Sequence, residues 1–232
     1  MSNRRCPVNC VRLSVNNVGK AFGLVMFDWD GTLVDSLERI VTCLQLSAGE
    51  LGLPVPSNED SRDIIGLGLP QALARLFPAA GKAEFLALRD CYSKNFQVLD
   101  HEPPAFYGTV LETLHSLKDR GYLLAVATGK SRRGLDRALQ GHGLTGFFDA
   151  TRCADESASK PDPRMLHELL THFNLPSGMA CMVGDTEFDM DMASRAGVER
   201  IGVSYGAHSA DRLHPYGLRG CADLLADILP WV

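Results

Sequence analysis

No stretch of the sequence stays apolar for anything near the roughly 18 residues that a membrane-spanning helix needs. The chain also lacks a CxxC pair, an HExxH sequence and any cluster of histidines, so no familiar zinc framework is present. Its seven cysteines are odd in number and scattered, which reads as free thiols in a reducing cytoplasm. Cys6 and Cys10 stand four apart without further ligands, and His167 and His172 stand five apart, a spacing that a helix does not stack. A positive excess is missing too: 23 Lys and Arg against 28 Asp and Glu leave a net charge of -5, so neither nucleic acid nor an anionic membrane is an expected partner. There is no internal repeat and no low-complexity segment.

What remains is the composition of an ordinary globular protein, 45% hydrophobic and 22% charged, in 232 residues. That length accommodates one α/β domain or a core with a smaller insert. Arg4 and Arg5 are not followed by the apolar run of an export signal. Residues 1–20, which hold Arg4, Arg5, Arg12 and Lys20 but no acid, read as a mobile extension outside the fold.

Short apolar runs recur at 23–27 (GLVMF), 123–128 (LLAVAT), 180–184 (ACMVG) and 200–206 (RIGVSYG). Runs of this length without alternation predict strands covered on both faces. Helical patterns lie between the later ones. Residues 108–121 place Val110, Leu111, Leu114 and Leu117 on one face and stop at Gly121. Residues 131–143 begin at Ser131, residues 162–173 begin with Asp162 and Pro163, and residues 187–197 end at Gly197. Alternation of this kind predicts an α/β fold: a Rossmann-like parallel sheet with helices on both faces. The long stretch between the first two strands breaks it, with helices predicted at 35–52, 57–66, 69–77 and 82–99. It reads as an inserted α-helical cap domain at 36–105, leaving 21–35 and 106–232 as the core.

In a parallel sheet, ligands bind beyond the carboxyl ends of the strands. Asp28 and Asp30 follow the first strand, Thr128, Gly129 and Lys130 the second, and Asp185 and Asp189 the third, while Lys160 precedes a helix. Two carboxylates two residues apart on extended backbone point the same way and repel unless neutralised. Asp185 adds a third charge. Such a set suits Mg²⁺, which prefers hard oxygen ligands together with a substrate phosphate. Thr128 offers a hydroxyl, Gly129 a closely approachable amide, Ser131 a helix N-terminus and Lys160 a compact positive charge. Together they point to a densely anionic substrate such as a phosphate.

These segments resemble the motifs of the haloacid dehalogenase superfamily of phosphohydrolases: FDWDGTLVDS the first, VATGK the second, SKPDP the third and GDTEFDM the fourth. The likeness runs from about residue 22 almost to the end and is greatest to the phosphoglycolate-phosphatase-like branch with a helical cap. The resemblance implies that Asp28 is the nucleophile and Asp30 the general acid/base. It makes Thr128, Gly129, Lys160 and the amide of Trp29 phosphate ligands. Mg²⁺ would be held by the Asp28 side chain, the Asp30 backbone carbonyl and Asp185, supported by Asp189. Trp29 departs from the aliphatic residue more usual there, and its ring is expected to pack away from the metal.

The implied activity is hydrolysis of a small phosphorylated metabolite, phosphoglycolate or a sugar phosphate, by a monomer or homodimer. The alternatives are a phosphomutase of the same fold, resembling β-phosphoglucomutase, and a non-catalytic binding protein. A dehalogenase is disfavoured because Asp30 is present. In the cap, the glycine-containing stretch 64–71 reads as a helix–helix turn or as a segment that approaches the substrate, and Arg62 and Lys94 read as ordinary surface charges or as anion contacts.

Overall fold

The computed structural model describes residues 21–100 and 102–232. The extension expected at 1–20 lies outside the described residues. The order of elements is β1 (Leu24–Phe27), α1 (Leu37–Glu50), α2 (Asn58–Asp63), α3 (Leu69–Leu76), α4 (Lys82–Leu99), α5 (Val110–Asp119), β2 (Leu123–Thr128) and α6 (Arg132–Gly141). Then follow β3 (Ala150–Cys153), α7 (Arg164–Phe173), β4 (Ala180–Gly184), α8 (Glu187–Ala196), β5 (Glu199–Val203), α9 (Ala210–Leu213) and β6 (Gly220–Ala222).

The six strands form one sheet in the order β3-β2-β1-β4-β5-β6, and every pairing is parallel. β1 is central, and its four residues alternate between two apolar layers. Val25 and Phe27 face α5, α6 and the C-terminal segment; Leu24 and Met26 face α7 and α8. That two-sided burial is why the strand reads as a continuous apolar run. The register sets Phe27 beside Val126 of β2 and Val183 of β4. Asp28, Thr128 and Asp185 therefore emerge at the same carboxyl edge.

Between β1 and β2 the chain leaves the sheet for α1–α4. Helix α1 buries Leu37, Ile40, Val41, Leu44 and Ala48, a stripe of helical period, against α3 and α4 in a separate apolar cluster. The exit and return are tied together: Asp35 N donates to Ala105 O at 2.8 Å and Tyr107 N to Leu33 O at 3.1 Å. Across the gap, Arg212 of α9 pairs with Asp63 of α2 and Glu187 of α8, each at 2.7 Å.

The expected helices start and end within a few residues of their predicted bounds, and the four-residue α9 was not expected. Two strands were not expected. β3, with sequence ATRC, is only partly buried, and β6 is three residues at the sheet edge, so neither shows an apolar run. The strand expected at 200–206 instead runs from Glu199 to Val203. Its last expected residues leave the sheet to wrap the end of β4, where Ala207 N donates to Asp185.

Leu114, fully enclosed on α5, belongs to the main core, whereas Val55 is 57% exposed. Leu114→Ala is predicted to lower stability by about 2–5 kcal/mol, seen as a lower denaturant midpoint at unchanged slope. Val55→Ala is predicted to change it by less than about 0.5 kcal/mol.

Candidate active site

β1 delivers Asp28 directly to the carboxyl edge, fully buried. Its Oδ1 accepts the Trp29 amide at 2.7 Å and lies 2.7 Å from Lys160 Nζ. Its Oδ2 is enclosed and has no hydrogen-bond partner. Lys160 comes from the loop between β3 and α7, is equally buried, and also pairs with Asp189 Oδ1 at 2.7 Å. Asp189 sits in the first turn of α8. Its Oδ2 closes a capping box by accepting from Thr186 N at 3.1 Å and Thr186 Oγ1 at 2.6 Å. Asp185 follows β4 and accepts from Thr32 Oγ1 at 2.7 Å and Ala207 N at 2.8 Å. Asp28, Asp185 and Asp189 each offer an oxygen within 4.8 Å of the others.

Three carboxylates and one ammonium thus share a dry site, leaving two negative charges unbalanced. Desolvation is the main cause that pushes Asp28 well above the usual carboxylate range, with Asp189 and Asp185 adding to it and Lys160 opposing. Asp185 is pushed up to about 7, by burial first and Asp189 second. Burial acts to lower Lys160, but Asp189 and Asp28 more than offset it, so the lysine stays charged. The geometry fits a hard divalent cation: an all-oxygen donor set, one unpartnered carboxylate oxygen and a deficit of two charges. The packing preserves the space needed. A Cβ at Gly31, whose φ is +81°, would stand 2.2 Å from Asp185 Oδ2, and one at Gly206 would stand 2.1 Å from Asp185 Cβ. Only glycine on both sides lets the carboxylate lie where it does.

The Asp30 side chain is not part of this trio. It accepts from Ser36 Oγ at 2.6 Å and from Lys130 Nζ at 2.8 Å to both of its oxygens. Asp28 and Asp30, two residues apart in the motif, are therefore paired with different lysines. Lys130 also stands over the Phe96 ring of α4, 5.0 Å from its centroid. Trp29 turns its indole into the main core, edge-on to Phe148 and His142. Its amide points to Asp28 in the present arrangement.

Asp28, Asp30, Thr128, Gly129 and Ser131 line one cavity of about 230 Å³ between the sheet edge and the inserted helices. The Thr128 hydroxyl accepts from Lys130 N at 3.3 Å, which leaves its own proton free to donate. Ser131 caps α6 by accepting from Gly134 N at 3.2 Å. The 64–71 stretch roofs the cavity, and Gly68 N donates to Ser159 Oγ, next to Lys160. Gly129 has a steric role beyond amide access, because a Cβ there would meet the carbonyl oxygens of Leu67 and Gly66 at 2.5 and 2.6 Å. Arg62 and Lys94 do not line this cavity. Arg62 pairs with Glu38, and Lys94 lies on an exposed hollow with Asp90 and Val98. The partners unassigned from sequence are Lys130, Ser36, Thr32 and Thr186. Lys130 alone had a signal, its place at the end of a strand.

The haloacid dehalogenase-like hydrolase family matches residues 25–203. A protein of Dickeya dadantii named probable phosphatase IndB is 36% identical over 195 residues, covering 82% of this chain and 84% of its own. A phosphoglycolate phosphatase of Pseudomonas syringae pv. tomato is 33% identical, covering 91% and 84%. The crystal structure of a predicted phosphoglycolate phosphatase from Haemophilus somnus superposes with a TM-score of 0.82 at 26% identity, over 92% of this chain and 99% of that one.

A cation binding among Asp28, Asp185 and Asp189 stabilises the folded state by mass action, about 2.7 kcal/mol at a hundredfold excess over its Kd. Titration with a divalent cation such as Mg²⁺ is predicted to raise the melting temperature of the wild type. Asp185→Asn is predicted to lose most of that increase in the same thermal-shift measurement.

Proposed function

The chain belongs to the haloacid dehalogenase-like hydrolases, and we propose that it is a Mg²⁺-dependent phosphatase acting on a small phosphomonoester through an aspartyl-phosphate. The observation that carries this reading is Asp28. It is a carboxylate fixed through one oxygen by Lys160 and the Trp29 amide, with its other oxygen unpartnered, on a residue that lines the cavity.

Asp28, the Asp30 backbone carbonyl and Asp185, supported by Asp189, would hold Mg²⁺, which would supply positive charge beside the phosphoryl oxygens. In the first step a carboxylate oxygen of Asp28 forms a bond to phosphorus as the ester oxygen leaves. Asp30 gives that oxygen a proton, so the alcohol departs neutral. In the second step Asp30 takes a proton from water, which attacks the phosphorus and frees phosphate and Asp28. Lys130 and Ser36 hold the Asp30 carboxyl group, which enters the first transfer protonated and the second as the carboxylate. Lys160 orients Asp28 and adds charge beside the phosphoryl group. The Thr128 hydroxyl and the amides of Gly129 and Trp29 are the proposed phosphate ligands. The Trp29 amide would exchange its bond to Asp28 for one to phosphate.

The inserted helices at 36–105 serve as a lid in this reading, excluding water and contacting the leaving group. The names of the relatives support phosphoglycolate as one substrate to examine; sugar phosphates stand beside it on the sequence resemblance.

A panel of phosphomonoesters with Mg²⁺ tests the reading. The wild type is predicted to release free phosphate from at least one, without a sugar bisphosphate activator that a mutase would need. Asp28→Asn is predicted to fall to background, and Asp30→Asn to lose about 10²–10⁴ in kcat. Equal rates for Asp28→Asn and the wild type contradict it.

A further inference from the structure

Helix α6 and the residue before its N-cap carry four cations: Lys130, Arg132, Arg133 and Arg137. Two are committed elsewhere. Arg132 turns outward to Glu156 and Asp136, and Lys130 holds Asp30. Arg133 and Arg137 are different: neither has an ion pair or a side-chain hydrogen bond with another described residue. Both line the cavity that contains Asp28. The spacing explains it. Residues 133, 134 and 137 share one face of α6, and together with Lys130 just before the helix they line that cavity. Arg137 is half-buried, and its Nε is enclosed without a partner. It also borders a second hollow, lined by Trp29, Asp100 and Gln140, so the guanidinium stands between the two spaces. A partly desolvated guanidinium lacking a carboxylate is costly unless a ligand supplies the anion.

The opposite wall is apolar. Ile40, Leu44, Ile65 and Ala72 come from the inserted helices, with Tyr92 and Phe96 beside them. A two-carbon phosphorylated acid spans three bonds from phosphorus to its carboxyl carbon, under about 4.5 Å. The cavity of about 230 Å³ extends from Asp28 to Tyr92 and Gln97 on one side and Arg137 on the other. Pockets that bind tightly cover their apolar walls with ligand, and so short an acid leaves much of this wall wet. The Cα of Arg137 stands about 9 Å along the α6 axis from that of Ser131, at the end proposed for the phosphate.

We propose that the substrate is an elongated phosphomonoester whose carbon body lies on the apolar wall of the inserted helices and whose far end carries a second negative charge bound by Arg137, aided by Arg133. The proposal rests on the phosphatase reading and narrows its substrate to an ester longer than phosphoglycolate that carries an anionic group besides the phosphate. Arg137 is then a specificity residue that contacts the leaving group, with no part in the chemical step.

The test uses ω-phosphooxy carboxylic acids, from two-carbon phosphoglycolate to longer chains, each beside its neutral primary amide. For the wild type, the preference for acid over amide in kcat/KM is predicted to grow with length and to exceed about tenfold in the longer members, the scale of a hydrogen bond to a charged group. The preference is predicted to reside in KM. In Arg137→Met it falls towards one, in Arg137→Lys it is kept in part, and in the exposed Arg133→Met it is reduced. Turnover of the amides by each variant shows that it has folded. A preference that is greatest for phosphoglycolate, or is the same in Arg137→Met and Arg133→Met as in the wild type, overturns the proposal. So does phosphate release from unrelated monoesters but from none of these acids, an outcome that leaves the phosphatase reading standing. Release from no phosphoester at all removes both.

Discussion

Three buried carboxylates set against a single buried lysine form the constraint on which the remaining structure depends. Asp28, Asp185 and Asp189 come from the ends of two neighbouring strands and the helix after the second, and Lys160 reaches only two of them. Hydrophobic packing alone would expel such a group, because each unpaired charge in a dry site costs several kcal/mol. It persists because almost every oxygen is tied down. Thr32 and Ala207 hold Asp185, Thr186 holds Asp189, and the Trp29 amide holds one side of Asp28. The oxygen left over belongs to Asp28, and the deficit of two charges fits a divalent cation. Structure and chemistry meet at that atom.

The sheet supplies the precision. A parallel register brings Asp28, Thr128 and Asp185 to one edge, and glycines at 31 and 206 let backbone press against Asp185 from two sides. The second aspartate of the motif is kept apart from the first by its own lysine, so the two acids have distinct surroundings two residues apart. Environments that differ in this way let neighbouring carboxylates take different roles, one attacking and one moving protons. The inserted helices close the other side, resting the carbonyls of Gly66 and Leu67 on Gly129 and bonding Gly68 to the loop that carries Lys160.

Much of this was legible in the residues because it is local. Apolar runs ending in acids marked β1 and β4, and a cap at Ser131 marked the start of α6. The helical insertion showed as a break in the strand–helix alternation. What was hidden depends on tertiary neighbours. β3 and β6 have no apolar run, since one is only partly covered and the other is a short edge strand. The Asp30 side chain turns to Lys130, a hundred residues away in sequence, and no spacing rule reveals that. Arg62 and Lys94 were singled out by charge alone and lie away from the cavity, whereas the arginines that line it sit on a core helix. Cap specificity is a property of packed surfaces and leaves little trace in a single chain.

The most direct test of the account is to quench the enzyme in acid during turnover and map phosphoryl groups on its peptides by mass spectrometry. The account predicts a phosphoryl group on the peptide containing Asp28, assigned to that residue by fragmentation and lost when the intermediate is allowed to hydrolyse. Turnover with no phosphorylated peptide, or with the group on another residue, would contradict it.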